Sequence, residues 1–206
     1  MLKSRRARGF TLIELMVATV ILAIVLGMAL PSFLTMMQNS KLGTAAKSYL
    51  VGLQTARTEA IRQNLPVQFV MTNTAIAAGI ETSAVADAAG KSWVVRATNP
   101  ASAGSYTLVE AKSVLEGSNQ KSSTSVLVSG AATAPPTATF GGVVTFNSLG
   151  ATSGGETLEF AITNPGGGDC VSAGGPMRCQ RIQVRPGGQI SMCDPTVAAG
   201  DTRACP

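Results

Sequence analysis

Four cysteines, one carboxylate inside a hydrocarbon run and three closely spaced arginines are the residues in this chain whose types and spacing could do chemistry. Cys170, Cys179, Cys193 and Cys205 all fall in the last 37 residues. They suit two disulfides if that region reaches an oxidising compartment. Four cysteines allow three connectivities, and Cys170 with Cys179 and Cys193 with Cys205 closes the shortest loops. A zinc site is the competing chemistry, but the set lacks C-x-x-C spacing and the chain contains no histidine.

Without histidine, neither a Ser/His/Asp nor a Cys/His nucleophile system can form. Gly166-Gly167-Gly168 lacks the strand, lysine and helix of a phosphate loop. The carboxylates show no paired spacing on an expected element. Composition therefore points away from an enzyme, and no cofactor or metal is expected. Arg178, Arg181 and Arg185 could contact phosphate together, or could form the solvated face of an exposed hairpin. Formal net charge is +5, yet Lys3, Arg5, Arg6 and Arg8 supply four of those charges, so a chain trimmed of its first nine residues falls to +1. Global charge gives nucleic-acid binding no support.

The element that must position everything else is the N-terminal one. Of the 21 residues from Phe10 to Leu30, only Thr11, Glu14 and Thr19 have polar side chains. That length meets the roughly 20 residues needed to cross a bilayer. The basic residues before it, and none after it until Lys41, set the N-terminus in the cytoplasm and the remainder outside. An ordinary secretory signal places its small-residue cleavage site after a shorter apolar region, whereas here Gly9 precedes the apolar run.

Glu14 sits near the end of the span, where the cost of an acidic side chain is reduced. Cleavage after Gly9 would make it the fifth residue of a helix whose positive dipole end and free amine favour a carboxylate. Snorkelling to the headgroups is the simpler alternative. Pro31 should kink the helix without ending it, because it lacks a backbone donor and crowds the preceding turn.

Beyond Pro31, Leu42, Ala46, Tyr49, Leu53, Ala56 and Ala60 alternate by four and three residues, the stripe of a helix with one buried face. Asn64-Leu65-Pro66 ends that helix, which from Phe10 would run about 80 Å at 1.5 Å per residue. Short β-rich runs follow at 67–71, 93–97, 106–110, 125–128, 143–146, 158–163, 181–185 and 189–192, and read as antiparallel strands. Pro186-Gly187-Gly188 joins the last two as a hairpin. The stretches 98–105, 117–125, 130–137 and 164–176 are rich in Gly, Ser, Ala, Thr, Asn and Pro and read as surface loops. The expected organisation is a basic leader (1–9), a transmembrane helix (10–30), the periplasmic part of the same helix (31–64) and one β-rich globular domain (65–206) with a disulfide-bonded C-terminal region. The fold class is α+β: a long kinked helix packed against an antiparallel sheet or a two-sheet sandwich.

Gly9-Phe10-Thr11-Leu12-Ile13-Glu14 resembles the class III signal of type IV pilins and type II secretion pseudopilins. The resemblance implies cleavage between Gly9 and Phe10 by a prepilin peptidase, methylation of the Phe10 amine, and retention of the helix; an uncut signal anchor is the plain alternative. It also gives Glu14 a partner, the Phe10 amine of a neighbouring subunit. Ala56 to Asn64, Val144 to Gly150 and the stretch from Arg178-Cys179 to Met192-Cys193-Asp194-Pro195 resemble the GspH/FimT group of minor pilins and pseudopilins.

That resemblance implies a minor pilin acting in pilus initiation or at the tip, made in the bacterial inner membrane and then moved into the pilus or pseudopilus. Its alternatives are a minor pseudopilin of type II secretion and a pilus-borne DNA receptor. The implied partners are other major and minor pilins or pseudopilins, prepilin peptidase, the inner-membrane assembly platform, and lipid around residues 10–30. DNA binding in the group is associated with a Gly-Arg-x-Arg hairpin segment, and the corresponding Gly188-Gln189-Ile190-Ser191 lacks both arginines. Arg181 and Arg185 on the opposite strand are the remaining candidates there.

Overall fold

The computed structural model describes residues 10–99, 101–102, 104–113, 127–132, 140–198 and 200–205. The leader, Gly9 and the expected loop at 117–125 lie outside them. The chain divides into two units, residues 1–37 and 38–206. One helix, α1 (Leu12–Gln63), runs from the first into the second and continues through Pro31.

In the first unit α1 starts at a polar cap: the Glu14 N–H donates to Thr11 Oγ1 at 3.3 Å. Thr11 and Glu14 stand in the T-x-x-E order of a capping box. Every large apolar side chain from Phe10 to Leu34 is exposed. Thr19 donates its hydroxyl to the Met16 carbonyl at 2.9 Å and so needs no outside partner.

In the second unit α1 buries the expected stripe: Leu42, Ala46, Tyr49, Leu53, Ala56 and Ala60 are all core residues. The helix ends where Asn64 turns into the left-handed region at φ 54°, with the Leu65 N–H returning to the Ala60 carbonyl at 3.3 Å. Pro66 cannot extend it.

Eight strands follow: β1 (Val67–Thr72), β2 (Ser92–Thr98), β3 (Tyr106–Lys112), β4 (Leu127–Ala132), β5 (Val143–Phe146), β6 (Leu158–Thr163), β7 (Gln180–Val184) and β8 (Ile190–Cys193). They form two antiparallel four-stranded sheets, ordered β3-β2-β1-β5 and β4-β6-β7-β8. Alternation decides their faces. Val67, Phe69 and Met71 of β1 and Phe160 and Ile162 of β6 enter one core with the helix stripe. Phe69 is its centre, edge-on to Tyr49 at 5.9 Å and Phe160 at 6.4 Å and stacked on Trp93 at 5.7 Å. Gly52 is where the helix meets these rings, because a Cβ there would lie 2.8 Å from Phe69 and 3.0 Å from Trp93.

Three details depart from the sequence reading. β4 reaches Ala132, so Gly130 to Ala132 are strand and not loop; they pair with Phe160, Glu159 and Leu158 of β6. The stretch 164–176 contains two 3₁₀ turns, Pro165–Gly167 and Val171–Ala173. A short helix, α2 (Ile80–Ser83), lies in the excursion between β1 and β2 and buries Ile80.

Candidate assembly surfaces

The sequence-derived site residues fall into separate places, each with its own geometry. Phe10 and Glu14 lie on the exposed stem, and Glu14 has no ion pair among the described residues. Gly9 is outside the described residues.

The cysteines form two disulfides, Cys170 with Cys179 and Cys193 with Cys205, nine and twelve residues apart. The first loop is held to α1 by one side chain. Asn39 Nδ2 donates to the Pro176 carbonyl at 3.3 Å, and Asn39 Oδ1 accepts from the Arg178 N–H at 2.8 Å. An amide side chain thereby does for the loop what a neighbouring strand would do. The second disulfide fixes the C-terminal segment, whose Arg203 carbonyl accepts from the Asp194 N–H at 2.8 Å at the end of β8. Among the described residues no group of three or more His, Cys, Asp or Glu could hold a metal ion.

The three arginines are not one free cluster. Arg181 pairs with Glu159 of β6 across 2.8 Å. Arg185 donates from Nη1 to Gln189 Oε1 at 3.2 Å, across the hairpin. Arg178 is exposed and is tied through its backbone to Asn39. A polyanion would have to compete with Glu159 for the central guanidinium, which weakens the counterion-release term on which such binding rests.

At the other end of the domain, Arg57 Nε donates to the Gly150 carbonyl at 3.2 Å. Gly150 belongs to a turn built on Asn147, whose Oδ1 accepts from the N–H groups of Leu149 and Ala151, each at 3.0 Å. The next residue but one, Thr152, donates its N–H to the Pro186 carbonyl at 2.9 Å and so joins this turn to the β7–β8 hairpin. Helix and both sheets meet there.

Two features were not read from the sequence. Thr11 as the helix cap was legible in the T-x-x-E pattern. Arg96 was not: a guanidinium in the middle of β2 lies buried beneath α2, donating to Gln68 Oε1 at 2.9 Å and to the Glu81 carbonyl at 2.7 Å. Its carbon centre sits 3.8 Å from the Tyr106 ring centroid. Burial lowers its pKa, and the interaction with Tyr106 opposes that shift.

A bare apolar stem, continued as a helix that packs on two antiparallel sheets, defines a type IV pilin-like subunit. The prokaryotic N-terminal methylation motif matches residues 4–30, and the family model described as Type II transport protein GspH matches residues 45–188. The chain belongs to the GspH family, which comprises structural pilin and pseudopilin subunits. Among solved structures, the type IV minor pilin FimU of Pseudomonas aeruginosa shares the fold: TM-score 0.51 at 16% identity, over 79% of this chain and 95% of that one. The minor pseudopilin EpsH from the Type 2 Secretion System of Vibrio cholerae is similar at 12% identity and a TM-score of 0.46, over 76% of this chain and 99% of that one. No curated protein sequence matches the chain.

Proposed function

We propose that this chain is a minor pilin that acts in the initiation or tip complex of a type IV pilus. The observation that carries the reading is the stem. Every large apolar side chain from Phe10 to Leu34 is uncovered, while residues 38–206 form a compact unit with a core of its own. Such a stem needs lipid before assembly and other stems after it.

In this reading prepilin peptidase cuts between Gly9 and Phe10, and residues 10–30 hold the chain in the inner membrane with residues 31–206 in the periplasm. Four basic residues before the span, and none after it until Lys41, support that orientation. The assembly platform then draws the stem out of lipid. Glu14 pairs with the Phe10 amine of a neighbour and fixes axial register, since a desolvated carboxylate without a cation is costly. The protein works by assembly and not by catalysis.

Deleting the gene in the native host, with the purified fibres and secreted proteins both assayed, tests the reading. Loss of surface pili, with the chain present in wild-type fibres, is expected. Intact pili with failed secretion of folded proteins would assign the chain to type II secretion instead.

A further inference from the structure

Where β6 ends, the chain passes through Asn164 into the 3₁₀ turn Pro165–Gly167. Asn164 is 1% exposed, and neither Oδ1 nor Nδ2 of its side chain meets a hydrogen-bonding partner among the described residues. Its backbone is paired, since its carbonyl accepts from the Gly167 N–H at 2.9 Å. A primary amide taken out of water with its donors and acceptor unfilled is costly, and folded proteins complete such groups with enclosed water.

The surroundings match that ligand. Three side chains close over the bare α-carbon of Gly167: a Cβ there would lie 2.5 Å from Gln38 Oε1, 2.5 Å from Met177 Sδ and 3.2 Å from Asn164 Nδ2. The Gln38 oxygen and the Asn164 nitrogen are thus an acceptor and a donor no more than about two hydrogen-bond lengths apart, yet they do not bond directly. That separation suits one bridging water. Turning the Asn164 amide over keeps the bridge, because water donates to an oxygen as readily as it accepts from a nitrogen. Met177 is fully buried, and its unbranched thioether is the adaptable wall that concedes the room a water takes. Two neutral amides and a thioether offer an ion no countercharge.

We propose that Asn164 and Gln38 hold one internal water, which fastens the end of β6 to α1. Asn39, the next helix residue, already grips the far end of the same segment through the Pro176 carbonyl and the Arg178 N–H. With the water bound, two successive residues of α1 hold the disulfide-bonded stretch at both ends, Gln38 at Asn164 and Asn39 at Pro176 and Arg178. The Cys170–Cys179 bond joins that stretch only to itself. The two helix amides are what join it to the helix.

The test is water–amide cross-relaxation by NMR on the ¹⁵N-labelled full-length chain in detergent. A cross peak between water and the Asn164 side-chain NH₂ is expected, with opposite signs in the laboratory and rotating frames, the pattern of dipolar transfer from a long-lived water and not of proton exchange. Gln38→Leu should remove most of that peak while leaving the neighbouring Thr163 hydroxyl in place, which separates bound water from relay through the hydroxyl. No peak in the wild-type chain, or a peak unchanged in Gln38→Leu, would overturn the proposal. Thermal unfolding supplies a second reading. Asn164→Leu should lower the midpoint, because a hydrated amide has hydrogen bonds to lose; a midpoint unchanged or raised would mean that the amide was orphaned, and would contradict the site.

Discussion

Arg57 Nε donates to the Gly150 carbonyl oxygen across 3.2 Å, and Gly188 closes over the same oxygen from the other sheet. One helical side chain thus ties together the turn after β5 and the β7–β8 hairpin. Gly188 has φ +77°, and a Cβ there would collide with that oxygen. Gly188→Ala should therefore destabilise the domain by about 1 to 3 kcal/mol, combining backbone strain with a clash that must be relieved. Arg57→Met, which leaves the oxygen without its donor, should cost about 1 to 2 kcal/mol. Thermal unfolding of the full chain in detergent measures both, and an unchanged midpoint for Gly188→Ala would show that the hairpin moves freely.

Asn39 holds the Cys170–Cys179 loop by both atoms of its amide. Asn39→Ala should leave the disulfide intact and speed hydrogen exchange at the Arg178 amide, because its acceptor is gone. Replacing Cys170 and Cys179 by Ser should cost about 2 to 3 kcal/mol in the chain-entropy account, and replacing Cys193 and Cys205 a similar amount. Non-reducing peptide mapping followed by melting checks pairing and cost together.

Glu59 gives the helix end a pH dependence. Hydrogen bonds from Arg62 and Gln63 lower its pKa from the usual 4.5. A carboxylate with a depressed folded-state pKa adds stability above its unfolded value and loses it as pH falls through the folded value. Glu59→Gln should therefore lower the unfolding midpoint slightly at neutral pH, with the difference from wild type shrinking as pH falls from about 5 to about 3. The side chain is in contact with water, so the effect is small. An identical acid profile in the variant would mean that the pair contributes nothing.

Glu14 sits on the exposed stem with no cation near it among the described residues. Glu14→Val should allow normal trimming but reduce the amount recovered in fibres by tenfold or more, an estimate of roughly 1.4 kcal/mol or greater for one desolvated charge pair. Fibre incorporation at the wild-type level would rule out the pairing with Phe10.

The sequence was most legible where one period governs a segment. The stripe from Leu42 to Ala60 needs only helical spacing to be read, and β5 and β6 start and end where their branched and aromatic residues do. Pro186-Gly187-Gly188 marks its hairpin because only a turn accepts that run. The parts not legible are those that tertiary contacts impose. Gly130 to Ala132 have no strand-forming side chains and are strand because β6 supplies the ladder. The four residues of α2 are too few to carry a period, and the helix is held through Arg96, whose burial no local pattern signals. For the candidate site, Phe10, Glu14 and the cysteines could be picked out by type alone. Asn164 could not, because its burial depends on what closes round the chain after β6.

The mass of the N-terminal peptide of the chain recovered from purified fibres tests the central claim most directly. A peptide beginning at Phe10 with one methyl group on its amine is the expected result, since it requires trimming after Gly9 and a retained stem. A peptide that begins at Met1, or one that begins downstream of Leu30, would contradict the account.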